Sequence, residues 1–234
     1  KVVDQCYLCD VCYLTKCPYV PPHPWNLDFP HTMLRAKAIQ FKKGTKTKIR
    51  DNLLSNTSAN GKLASIPVVT EAVNFATTNK VARSVGEKML GVHKSAWLPK
   101  FAKTSFEKTA KISEKFPVLD GKVTKGKVAI YSTCYINWNE PGIGHDLIEI
   151  LKINEIPYVV VEKQGCCGMP KLELGDLDSV EKLKNENIPR MAKLAKDGYV
   201  IVSPIPSCTL MFKQELPLLF PEDSDVQIVG KAMM

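Results

Sequence analysis

Short β-branched runs punctuate the second half of the chain. "KVAIYS" (127–132), "PYVVVEK" (157–163), "YVIVSP" (199–204) and "VQIV" (226–229) each read as a buried strand bounded by turn residues. Between them, apolar residues recur at three-to-four spacing in "GHDLIEILKI", "DSVEKLKNENIPRMAKLAK" and "SCTLMFKQELPLLF", which predicts helices. Strands alternating with helices imply parallel strands and right-handed crossovers. Residues 126–234 are therefore expected to form an α/β domain around a small doubly wound parallel sheet.

The first half follows the helical period instead. "HTMLRAKAIQFKK" predicts a helix ending at Gly44, and "IPVVTEAVNFATTNKVARSVGEKMLG" predicts helical structure ending at Gly91. A weaker amphipathic pattern runs from Trp97 to Phe116. "YVPPHPWNLDFP" is irregular, because Pro21, Pro22, Pro24 and Pro30 remove donors and hold the chain extended. The expected division is a mainly α-helical module over 1–50, a helical connecting region over 51–125 and the α/β domain beyond. The boundary is placed near "DGKVTKGK" (120–127).

Charge divides the chain at the same place. Residues 1–130 hold 22 Lys and Arg against 9 Asp and Glu, whereas residues 131–234 hold 10 against 15, within a net charge of +8. The basic peak, "RAKAIQFKKGTKTKIR" (35–50), carries seven cations and no acid. It reads as a solvated helix face and loop, or as a surface for an acidic electron carrier or an anionic membrane. Nucleic acid is not expected, since the interleaved aromatics of a stacking platform are missing. With 234 residues the chain can bury a core without disulfide staples, and it contains no apolar run long enough to span a membrane and no export signal. A cytoplasmic, reducing setting is expected, peripheral to a membrane only through a partner. The start at Lys1 and the stop soon after "DVQIV" suggest a piece of a longer protein.

Eight cysteines fall into two sets. Cys6, Cys9, Cys12 and Cys17 lie within twelve positions and end in Cys17-Pro18. Two-residue gaps return successive sulfurs to one point, the arrangement that wraps a 4Fe-4S cluster, although the final gap here is four residues where the ferredoxin run has three. Cys17 then either serves a second cluster or closes the first with an extra residue of slack. Zinc sites prefer two widely separated CxxC pairs, a poorer match, and structural free thiols are the remaining alternative.

Cys134, Cys166, Cys167 and Cys208 each follow a predicted strand. In a parallel sheet the loops after the strands open on one carboxyl edge, so four sulfurs distant in sequence are expected at one rim. Adjacent side chains in a strand face opposite ways, and Gly168 would permit the turn that brings both sulfurs of the Cys166-Cys167 pair to one side, making it part of a cofactor-binding loop. The plain alternative is one buried, inert cysteine per loop.

A ferredoxin-type run followed by "C…CCG…C" resembles the CCG-domain (cysteine-rich) iron-sulfur oxidoreductases, a family that includes the B subunit of heterodisulfide reductase and the C subunit of anaerobic glycerol-3-phosphate dehydrogenase. The resemblance covers residues 6–18 and roughly 127–229. It implies an electron-transfer subunit of a redox complex, with a ferredoxin-like module before the CCG domain and one or two 4Fe-4S clusters. It implies Cys6, Cys9, Cys12 and Cys17 as ligands of the first centre and Cys134, Cys166, Cys167 and Cys208 as ligands of the second. One element departs: the family's last CxxC reads Ile205, Pro206, Ser207, Cys208 here, which leaves a five-cysteine non-cubane cluster in doubt. Two rivals belong to other classes: a zinc-stabilised module binding nucleic acid or protein, and a thiol-disulfide catalyst using Cys166 and Cys167.

Overall fold

The computed structural model describes residues 2–44, 49–110 and 126–234. The first helices are α1 (Val2–Gln5), α2 (Phe29–Lys42), α3 (Ile49–Ser55), α4 (Thr57–Ala64), α5 (Pro67–Thr78), α6 (Lys80–Leu90) and α7 (Phe106–Thr109). Strand β1 (Lys127–Ile130) follows, then α8 (Thr133–Trp138), α9 (Pro141–Ile153) and β2 (Tyr158–Val160). The remainder is α10 (Met169–Leu174), α11 (Leu177–Lys196), β3 (Tyr199–Val202), α12 (Pro206–Leu210), α13 (Leu216–Leu219) and α14 (Ser224–Ala232). Short π-helical turns lie at Cys12–Lys16 and Met211–Glu215. Among the described residues the chain is mostly helical around three strands, an α/β arrangement, and it divides into two compact units: Lys1–Ser55 with Gly168–Lys182, and Asn56–Cys167 with Leu183–Met234.

In the first unit α2 is the organising helix. Asp28 caps it, its carboxylate accepting from the His31 amide at 3.1 Å, and Pro30 occupies the first turn, where no amide donor is needed. α10 packs against it. Gly175, at φ +82°, ends α10 so close to α2 that a Cβ would stand 2.5 Å from the Lys37 carbonyl carbon, so only glycine fits. The Lys37 ammonium joins the two segments by donating to the Cys6 carbonyl at 2.5 Å and the Glu173 carbonyl at 3.0 Å. Arg50 pairs with Asp51 at 3.0 Å, so two cations of the basic peak serve internal contacts, while residues 45–48 of that peak lie outside the described residues.

In the second unit β1 lies between β2 and β3, parallel to both, in the order β2-β1-β3. The connection from β2 to β3 passes over β1, the reversal that defines a doubly wound sheet and opens a crevice at its carboxyl edge. Ile130, Ile136 and Phe106 are fully buried in the core with Ile148, Leu151 and Tyr158. A Cβ on Gly144 would stand 2.5 Å from the Phe106 ring, so this glycine lets α7 settle on α9.

Two expectations are corrected. "VQIV" lies within helix α14, not in a strand. Asp223 accepts from the Asp225 and Val226 amides, and the buried Val226, Val229 and Gly230 form the inward stripe of a helix. The helical stretch ending at Gly91 is broken at Asn79, whose extended backbone closes α5 while its side chain caps α6 through Val81 and Ala82. The pattern expected from Trp97 is irregular until α7. Its end, and most of the 120–127 boundary, lie outside the described residues. Among the described residues no helix is long and apolar enough to cross a membrane.

Candidate functional site

The first cysteine set sits on a wound loop of the first unit. Leu8 and Asp10, one inside each two-residue gap, take left-handed backbone angles (φ 53° and 56°) and are buried. Each turns the chain sharply between two cysteines. The π-helical turn then closes through the Cys17 amide onto the Cys12 carbonyl at 2.8 Å. Cys9 and Cys12 are exposed, Cys6 and Cys17 half-buried, and all four are free thiols.

The second set is gathered in the second unit. Cys134 is the second residue of α8, Cys166 and Cys167 end the loop after β2, and Cys208 lies on α12 after β3. The Cys134 sulfur lies near that of Cys166, and the Cys167 sulfur near those of Cys166 and Cys208. Three strand-end loops thus bring four sulfurs together around Tyr131. Cys166, Cys167 and Cys208 are each 3% exposed, and Cys134 is partly covered.

A polar lattice holds these loops. Tyr131, fully buried, donates to the Gly165 carbonyl at 2.6 Å and meets Phe212 edge-on at 4.8 Å. Gln164 bonds Ser132 twice, accepting from its amide at 2.8 Å and donating to its hydroxyl. Asn187, on α11, accepts from the Gly165 amide and donates to the Cys166 carbonyl, each at 2.9 Å. Sequence reading missed all four of these residues. Tyr131, Ser132 and Gln164 were visible as polar groups beside "STC" and "QGCCG", whereas nothing local marks Asn187. Gly168, at φ +102°, begins α10, its carbonyl accepting from the Lys171 and Leu172 amides; this is the turn a side chain would strain.

The electrostatics favour neutral thiols at Cys134 and Cys167. The hydrogen bond to Cys166 pushes the Cys134 thiol well above the ordinary range, burial adds to it, and Thr57 opposes it. Cys167 is raised by its bonds to Cys166 and Cys208 and then by burial. Tyr131 is raised by burial first, then by the charges the four cysteines would carry. Buried sulfurs that suppress one another's ionisation suit a soft, positively charged group, which would supply the missing countercharge. Among the described residues, no group of three or more His, Cys, Asp or Glu is arranged to hold a metal ion.

Residues 128–213 match the cysteine-rich domain family called CCG, and this stretch contains the whole second cysteine set. The chain therefore carries a CCG domain. It is 25% identical over 183 residues to the C subunit of the anaerobic glycerol-3-phosphate dehydrogenase of Escherichia coli K12, covering 77% of this chain and 44% of that protein. It is 32% identical over 97 residues to lactate utilization protein A of Bacillus subtilis, covering 42% of this chain and 39% of that one. An uncharacterized iron-sulfur protein of Methanocaldococcus jannaschii is 24% identical over 204 residues, 85% of this chain and 32% of its own. The chain spans less than half the length of these curated relatives. No solved structure matches it.

Proposed function

We propose that this chain is an iron-sulfur subunit of an oxidoreductase, relaying electrons between 4Fe-4S centres and a redox partner. The observation that carries the reading is the convergence of Cys134, Cys166, Cys167 and Cys208 at the strand ends of a CCG domain. Relatives named as a dehydrogenase subunit and an iron-sulfur protein support it. In this reading residues 1–50 form the ferredoxin-like module, with Cys6, Cys9, Cys12 and Cys17 around its cluster. Residues 51–125 connect it to the CCG domain of 126–234, whose four cysteines hold the second centre beside the Gly168 turn. When bound, each cluster supplies a one-electron redox centre. The chain's own residues set its potential by burial and hydrogen bonds to sulfur. Other subunits of a redox complex are the partners, and Arg35, Lys42 and Lys43, exposed on α2 or at its end, offer a face to an acidic carrier.

Thiol-disulfide exchange needs an accessible, easily ionised sulfur; Cys167 is neither, being buried and raised. Anaerobic purification with iron, acid-labile sulfide and zinc measured together tests the proposal. Iron and sulfide in near-equal amounts are expected, with Cys9→Ser and Cys167→Ser each removing one spectroscopic signal and sparing the other. A colourless, zinc-loaded protein would overturn it. Electron delivery that ignores ionic strength would remove the acidic carrier from the picture.

A further inference from the structure

Two helices of the second unit meet in matched steps. Gly61 on α4 lies so close to Trp138 on α8 that a Cβ would stand 2.3 Å from indole carbons Cγ and Cδ1, which fixes the register of the pair. One helical turn before Gly61 is Thr57, and one turn before Trp138 is Cys134. The contact at Gly61 and Trp138 holds together two helices on which Thr57 lies beside Cys134. Thr57 Oγ1 is buried and has no hydrogen-bond partner. Its hydroxyl faces the Cys134 sulfur. A buried hydroxyl left unpaired is costly, and the neutral thiol beside it, engaged with Cys166, does not complete the bond. A thiolate would, because charged sulfur is a stronger acceptor.

We propose that Thr57 is a positioning residue for the Cys134 sulfur, donating a hydrogen bond to it when that sulfur is the thiolate ligand of a cluster and so raising the reduction potential of the centre. The inference rests on the iron-sulfur reading of the second cysteine set. A hydrogen bond to a ligand sulfur stabilises the more negative, reduced state more than the oxidised one. The hydroxyl is the group that matters, since the threonine methyl cannot donate.

Redox titration of the anaerobically purified full chain, followed by electron paramagnetic resonance, tests this with Thr57→Val and Thr57→Ser. Valine keeps the shape and removes the donor; serine keeps the donor. The valine protein is expected to be reduced about tenfold less favourably, ~59 mV lower for a one-electron couple, with serine at the wild-type potential. Should valine disturb the fold, Thr57→Ala is compared with serine in the same way. Loss of the cluster from both alanine and valine, with retention by serine, equally supports a role for the hydroxyl. Full iron and an unchanged midpoint without the hydroxyl overturn the proposal while leaving the cluster reading intact. Wild-type protein devoid of iron and sulfide removes both.

Discussion

The phenol of Tyr131 donates to the carbonyl of Gly165 at 2.6 Å, fastening the residue after β1 to the loop that carries Cys166 and Cys167. Because Tyr131 is fully buried against Phe212, the ring stays in place when the hydroxyl is removed. Tyr131→Phe is expected to cost about 1 kcal/mol, the net worth of one such bond. Hydrogen exchange should quicken at the amides of residues 164–167 before it does in the strands. Unchanged protection there would mean that Asn187 and Gln164 hold the loop alone.

Gly175 reports on the first unit. Its positive φ and its approach to the Lys37 backbone leave no room for a methyl group. Gly175→Ala is expected to cost more than ~1 kcal/mol, from left-handed strain and the displacement of α2 from α10 together. Limited proteolysis should then cut residues 29–44 faster than wild type.

Asp223 tests the corrected helix. It caps α14 and takes a 2.6 Å ion pair from Lys184. The bond to Lys184, followed by the helix amides, holds its carboxyl below the ordinary range against a small cost of burial. A depressed carboxyl stabilises the fold fully above its unfolded pKa and loses that contribution as pH falls through the folded value. Asp223→Ala should cost roughly 1–2 kcal/mol at neutral pH, and Asp223→Asn less, since an amide oxygen still caps. Urea midpoints of the three proteins should converge toward acid pH.

Glu107 has the opposite sign. Burial raises its carboxyl, with Gln164 and Lys62 only partly offsetting it, and Oε1 has no partner. A raised carboxyl binds its proton more tightly folded than unfolded, so stability falls as pH rises from the unfolded pKa through the folded one. Glu107→Gln should therefore be the more stable protein at pH ~7, with the advantage fading below pH ~4. A constant advantage at every pH would point to packing instead of charge.

The parts of this fold legible in the sequence are those with a strong period. Three β-branched runs became the three strands, because nothing beside them offered an alternative. "VQIV" had the same composition but lay three residues after a capping aspartate, and a cap outweighs propensity in so short a run. α10 escaped notice because six residues between two left-handed glycines show no period at all. The alternation of strands and helices was enough to place Cys134, Cys166, Cys167 and Cys208 near a common edge. The lattice of Tyr131, Gln164 and Asn187 depends on loops and a distant helix, and no local pattern encodes such contacts.

Thr133, the residue before Cys134, holds a left-handed backbone (φ 61°) that a β-branched side chain resists. It is 2% exposed, and its hydroxyl accepts from the Ile136 amide at 3.2 Å. Surroundings able to impose that conformation leave the adjoining sulfur little freedom to drift. A centre mounted on so stiff a support would rearrange little on gaining or losing charge, and the barrier to each exchange would stay correspondingly low.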